Sequence, residues 1–377
     1  MTRSPIGAAA CGCALLLTLI GVGPAPAWDR GQVQVLTVLP NLKSGAPSSV
    51  EGLTVGPDGN IYVPSFGFNT QGSTTGPADL FVISPNGKVI NQVTITGSSP
   101  HMLGLAFNPV TNQLWALDFG AGNVLAVDPK SGASSVLAGP IANSGLNALT
   151  FDASGNGYVS DSFNGTIWKI PPQGGSFSPW LADPLLSPGT GLTPPFGANG
   201  ILFSNDFSTM YVANTAFHQI IQVPVTATNG VLVAGKPSIL TTGINAPDGI
   251  LLDRQGNLWI CANQEDEIVV LDPKGGTNPL TGQKIPKVIA KLGDFDGIDA
   301  NGIAQGFLFP ASPAFSPDGK TLYVSNLTLF LPYAGANIAV DSPDALQVKG
   351  YTVSKIPAEL PPLPGGQQGQ QGQQGQQ

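Results

Sequence analysis

The stretch Asp248-Gly-Ile-Leu-Leu-Asp-Arg-Gln-Gly-Asn-Leu-Trp-Ile260 decides the fold. Its apolar residues fall in two short runs, Ile250 to Leu252 and Leu258 to Ile260, and Gln255-Gly256 between them supplies a tight turn, so it reads as a β-hairpin. The same pattern recurs on both sides: a small-residue pair, alternating apolar residues, a polar turn, then an aromatic inside a β-branched run. The other copies open at Glu51, Leu103, Asn147, Asn199 and Ala311 and carry Tyr62, Trp115, Tyr158, Tyr211 and Tyr323, in the place of Trp259. Successive openers are separated by 52, 44, 52, 49 and 63 residues. Third strands are expected at 79–84, 123–128, 166–170, 219–223 and 267–272, with weaker fourth strands such as 287–292. A four-stranded unit repeated six times at this period predicts an all-β, six-bladed β-propeller. The sixth copy lacks a fourth strand of its own. The alternating segment 32–39 is expected to supply it and so to close the ring.

Composition points the same way. Gly 49 and Pro 35 among 377 residues oppose long helices, while a hydrophobic fraction of 42% excludes disorder for the body of the chain. Charged residues make up 10%, against roughly 25% in an average soluble domain. The net charge is −8 and no basic patch exists, which excludes nucleic acid as a partner. Residues 1–27, with Arg3, an apolar run over 8–22 and Ala25-Pro-Ala27, read as a cleaved secretory signal. The protein is therefore expected to be exported, periplasmic or secreted, with no membrane span after cleavage. Cys11 and Cys13 leave with the signal, and Cys261 alone forms no internal disulfide. Three segments follow: signal 1–27, propeller 28–356, and a Gly/Gln-rich tail 357–377 expected to be disordered.

In a propeller the first strand of each blade lines the axis, so the six openers should meet on one face. Glu51, Asn147, Asn199 and Asp248 then form a set of hard oxygen donors, completed by apolar Leu103 and Ala311. Two carboxylates brought close raise each other's pKa, and a divalent cation relieves the pair. Ca²⁺ suits such a set better than Mg²⁺, which demands stricter geometry, or zinc, which favours His and Cys. The alternative is that Asn and Asp precede Gly only because they suit turns; it leaves Glu51 and the shared register unexplained.

Loops on the same face carry Asp118, Asp161, Asn214, His218 and Asn263. They also include the long stretches 65–78, 183–198 and 293–310. Asn147, Asp161, His218 and Asn263 are the expected substrate contacts. The run containing Asp294, Asp296 and Asp299 reads as a solvated loop, a second cation site or a lid. Of the two histidines, His101 lies near the expected mouth and is a candidate base or substrate contact. No Gly-x-Ser-x-Gly elbow is present, and Cys261 reads as a small buried hydrophobe.

At these residues the sequence resembles the senescence-marker-protein, gluconolactonase and luciferin-regenerating-enzyme family of six-bladed propellers, and more distantly the paraoxonase-type arylesterases. The strongest stretches run from Asn199-Gly-Ile to Thr215 and from Pro247-Asp-Gly-Ile to Trp259. The resemblance implies metal ligation by Glu51, Asn199 and Asp248, with Asn147 near bound water or substrate. It also implies hydrolysis of a lactone or related ester, the cation polarising the carbonyl and Asp248 or His101 activating water. The sequence departs from the family at Gly145, where an arginine usually holds a sugar acid, and at Glu51-Gly-Leu in place of Glu-Gly-Pro. The competing expectation is a non-catalytic exported propeller that binds a protein or glycan through its loop-rich face, with structural Ca²⁺.

Overall fold

The hairpin quoted above joins Pro247–Leu252 to Leu258–Ala262, and the Asp253 carboxylate holds its turn by accepting from the backbone N–H groups of Gln255 and Asn257 at 2.9 and 2.8 Å. The structure, a computed structural model, describes residues 33–189, 195–334 and 341–358. The expected signal 1–27 lies outside the described residues, as does all of the expected tail beyond Ala358.

Six antiparallel sheets make up the described chain, with two small hairpins beside them. Blade 1 runs Thr54–Val55, Ile61–Pro64, Asp79–Ile83 and Val89–Thr94, and blades 2, 3 and 5 repeat this meander. The first strands of neighbouring blades touch in order round the axis, and that of blade 6 touches that of blade 1. This is a six-bladed β-propeller. Blade 6 is built from Pro310–Phe315, Thr321–Asn326 and Thr352–Pro357, with Gln34–Val38 added as the outer strand, so the N-terminal segment closes the ring as its alternation predicted. Pro357 pairs with Thr321, which carries the propeller one residue past the expected boundary at 356.

The aromatic of each second strand explains how the blades stack. Tyr62, Trp115, Tyr158 and Trp259 meet Phe107, Phe151, Phe203 and Phe315, the last residue of the next blade's first strand, edge to face at 5.0, 5.2, 4.9 and 5.3 Å. Each blade thus buries a face that it could not bury alone. Two third strands outrun their expected ends, reaching Thr228 in blade 4 and Thr277 in blade 5. In blade 4 the reason is the Asn229-Gly230 turn, both residues at positive φ (51° and 77°), which folds a protruding hairpin back on Val231–Ala234. Among the described residues no helix is long and apolar enough to cross a membrane.

Candidate functional site

Every first strand bulges at its opener. In blade 5 Pro247 faces Ala262 and Ile250 faces Ile260, so three steps on one strand match two on the other, and Asp248-Gly249 occupies the extra length. The same irregularity falls at Leu103-Gly104, Asn147-Ala148, Asn199-Gly200 and Ala311-Ser312, and in blade 1 between the Val50 and Thr54 pairings. A bulge re-aims one side chain and leaves its neighbour against the sheet beside it. That neighbour has to be small: a Cβ on Gly52, Gly200 or Gly249 would collide with the carbonyl of Leu103, Asp248 or Ala311 in the next blade. Hydroxyls and an amide lock the ring further. Ser160 donates to the Asn199 carbonyl at 2.7 Å, Thr215 to that of Pro247 at 2.8 Å, Asn263 to that of Pro310 at 3.3 Å, and Ser325 to that of Glu51.

The bulges bring Glu51, Asn147, Asn199 and Asp248 onto one cavity of about 240 Å³, each only 4 to 7% exposed. Leu103 is on the same floor, and Ala311 is buried in the apolar cluster beside it. Beneath them a second cavity of about 380 Å³ opens along the axis and shares Glu51, Asn147 and Asn199, so the polar set forms a neck between the two. Burial pushes the Glu51 carboxyl well above its ordinary range, and the charge of Asp248 pushes it further, against a hydrogen bond from Asn147. Burial likewise raises Asp248 to about 8, against hydrogen bonds from the Asn199 and Asn263 side chains and the Gly249 N–H. Asn263 donates to Asp248 Oδ2 at 3.1 Å, and Asn199 also donates to Thr215 Oγ1 at 3.1 Å.

Among the described residues no group of three or more His, Cys, Asp and Glu side chains stands ready for a metal, so the donor set is two carboxylates with amide oxygens. This set fits a hard divalent cation: both carboxylates are buried and mutually repelling, and among the described residues no Lys, Arg or His lines the cavity to neutralise them.

Asn263 lines the cavity, but three other expected site residues lie off its wall. Asp161 Oδ1 accepts from the N–H groups of Gly145, Phe163 and Asn164 at 2.9, 3.2 and 3.2 Å, and Oδ2 accepts from Asn164 Nδ2 and Trp168 Nε1 at 2.9 and 3.1 Å. It is a buried anchor of a turn, with no lone pair left for a substrate. His218, at φ 56°, accepts from the Ala246 N–H at 2.9 Å through Nδ1 and braces the way into blade 5. His101 donates through Nδ1 to the Phe66 carbonyl at 2.7 Å, has Ser73 Oγ 3.1 Å from Nε2, and stacks on Phe68 at 4.4 Å. Asp118 and Asn214 are turn anchors like Asp161. The run at Asp294 to Asp299 enters a small hairpin, where Asp299 caps the turn. Cys261 is fully buried in its strand.

The sequence reading missed the walls. Phe66, Phe119, Phe163 and Phe196 line the cavity together with Leu327 and Leu331, which share one apolar cluster with Phe66. A signal was available: Asp118 is followed at once by Phe119, and Asp161 two residues on by Phe163, so the polar anchor of each turn is accompanied by a ring.

Together these features define a six-bladed propeller with a buried carboxylate and amide site on its axis. Residues 194–292 match the family described as SMP-30/Gluconolactonase/LRE-like region, the resemblance carried by blades 4 and 5. Solved structures of similar fold include the calcium-binding protein regucalcin of Agrobacterium tumefaciens, with a TM-score of 0.56 and 18% identity over 86% of this chain and 96% of that one. A gluconolactonase of Xanthomonas campestris has a TM-score of 0.53 and 15% identity over 89% and 97% of the two chains. A streptogramin B lyase has a TM-score of 0.53 and 15% identity over 88% and 99%. At these identities the likeness is one of fold. No curated protein sequence matches the chain.

Proposed function

We propose that the protein is a divalent-cation-dependent hydrolase of a lactone or related ester, acting in the cavity above Glu51, Asn147, Asn199 and Asp248. The observation that carries this reading is the buried carboxylate pair, raised in pKa and with no cationic side chain among the described residues of the cavity wall. Glu51, Asn147, Asn199 and Asp248 would hold the cation through oxygen, and Ca²⁺ tolerates such a mixed set. Bound there, it supplies a Lewis acid for the ester carbonyl and makes water more acidic. Asp248 takes the proton of the attacking water, oriented for it by the amide of Asn263 on Oδ2. His101 is not assigned this proton, since it does not line the cavity and both its ring nitrogens are within hydrogen-bond distance of loop partners, the Phe66 carbonyl and the Ser73 hydroxyl. The apolar walls keep bulk water from the carboxylates and so strengthen their electrostatics.

The test is a panel of lactones and aryl esters assayed with and without chelator, using wild type, Glu51→Gln and Asp248→Asn, alongside elemental analysis of the purified protein. Chelation and either substitution are expected to lower kcat/KM by roughly 10²- to 10⁴-fold. Full activity in Asp248→Asn would refute the mechanism, and absence of hydrolysis in a folded, cation-loaded protein would refute the enzymatic reading.

A further inference from the structure

We propose that the ligand of this site is a neutral, apolar lactone or ester whose alkyl or aryl substituent lies against Phe163 and Phe196, with Phe163 as the specificity determinant; naming the substrate class in this way rests on the hydrolase reading above. Above the polar floor the cavity offers such a ligand one continuous aromatic surface. Phe66 meets Phe119 at 5.9 Å, Phe119 meets Phe163 at 5.5 Å, and Phe163 stacks on Phe196 at 5.8 Å with 20° between the ring planes. Leu327 and Leu331 of blade 6 line the same cavity and continue this surface, packed in one cluster with Phe66. A polyol here would bury hydroxyls with almost no partners beyond the floor, which is costly. Beyond the floor, an anionic group would find no Lys, Arg or His among the described residues of the wall to pair with. Size narrows the class further: about 240 Å³ lies below the roughly 300 Å³ of small ligand pockets. There is room for a reacting ring and one apolar substituent.

The fold makes a dedicated place for Phe163. A Cβ at Gly145 would lie 2.9 to 3.1 Å from three atoms of the Phe163 ring, so only glycine leaves room for it. Asp161 Oδ1 holds the backbone N–H groups of both residues, at 2.9 and 3.2 Å, and fixes the ring over the glycine. Yet the side chain so carefully seated is 42% exposed at the mouth of a cavity. An aromatic face held rigid and left uncovered is a contact surface for a ligand. Asp161 is accordingly a positioning residue, which gives the carboxylate read as a substrate contact a physical role one step back.

The experiment measures kcat/KM for γ-butyrolactone, γ-octalactone, a phenyl-substituted γ-lactone and glucono-lactone on wild type, Phe163→Ala and Phe163→Leu. Binding of the uncleavable lactam analogues is followed in parallel by calorimetry. Each methylene placed on the wall is expected to raise kcat/KM by about three- to fourfold until the wall is covered. Phe163→Ala should lower kcat/KM for octalactone about tenfold more than for butyrolactone, and Phe163→Leu should restore part of that difference. Turnover of glucono-lactone above octalactone overturns the apolar class and leaves the hydrolase reading standing. Chain-dependent lactam binding that is lost in Phe163→Ala, without hydrolysis of any lactone, supports the ligand class and overturns the hydrolase reading. Lactam binding independent of chain length overturns the proposal outright.

Discussion

Burial works against the charged forms of Glu51 and Asp248, as it does against that of Asp266. Unfolded, the first two ionise at their ordinary values of 4.5 and 3.8; folded, both are raised, Asp248 to about 8. Between these limits the folded protein binds more protons than the unfolded chain, so stability must fall as pH rises through the window and level off above it. The sign is opposite to that of the surface carboxylates Asp58 and Asp206, whose hydrogen bonds lower them. Chelator-treated protein is therefore expected to melt at a lower temperature at about pH 8 than at about pH 5, and Ca²⁺ should raise Tm at the higher pH far more than at the lower. In chelator Asp248→Asn should gain about 1 to 2 kcal/mol at the higher pH while losing the response to Ca²⁺, the usual trade between a strained site and stability. Calorimetric scans at the two pH values check this. A metal-free melting temperature that climbs from the lower to the higher pH would mean that the pair is not buried as described.

At the scale of the element, one carboxylate organises the hairpin at the outer end of the inner strands. Asp152 accepts from the N–H groups of Ser154 and Asn156 at 2.9 and 3.0 Å, from Asn156 Nδ2 at 2.8 Å and from the Tyr158 hydroxyl at 3.1 Å. Asp58 with Tyr62 and Asp253 with Trp259 repeat the device at 2.8 and 3.0 Å. The turn therefore fixes the aromatic that packs on the next blade. Asp152→Ala is expected to cost about 2 to 3 kcal/mol in urea unfolding and Tyr158→Phe about 1, with the double variant below their sum because they share a bond. An unchanged midpoint in Asp152→Ala would show that the backbone alone holds the turn. These hairpins were legible in the sequence because turn, aromatic and opener keep nearly fixed offsets inside each copy, and the floor of the site followed from the same register. The walls were not legible. Phe66, Phe196 and Leu327 stand in loops of unequal length, and only packing between blades brings them together. Asp161 misled for a related reason: its sequence position is that of a rim residue, but the turn donors claim its lone pairs.

The described residues form a closed ring, and no covalent bond among them fastens it. The one cysteine among the described residues, Cys261, is free. Closure depends on Gln34–Val38 pairing with Thr352–Pro357, on the Leu39 N–H donating to the Tyr351 carbonyl at 2.8 Å, and on the Ser325 hydroxyl reaching the Glu51 carbonyl across the seam. Leu39 is buried in the cluster that also holds Tyr323 of blade 6 and Val50 and Val63 of blade 1, so the N-terminal segment joins the two blades as well as completing one of them. Because Glu51 opens blade 1 immediately beside this seam, the proposed cation site would depend on closure even though no residue of 33–39 lines its cavity. Deleting 33–39 should lower the urea midpoint and also the m-value, since a ring opened between blades 6 and 1 already exposes surface before global unfolding. Ca²⁺ affinity should fall in the same variant, while Ser325→Ala, which removes a single hydrogen bond at the seam, should cost only about 1 kcal/mol and leave the m-value unchanged. The two variants separate a seam that merely adds stability from one that holds the site's geometry. Should the deletion shift the midpoint and spare both the m-value and Ca²⁺ binding, the inner faces of the blades alone would suffice to keep Glu51 opposite Asp248.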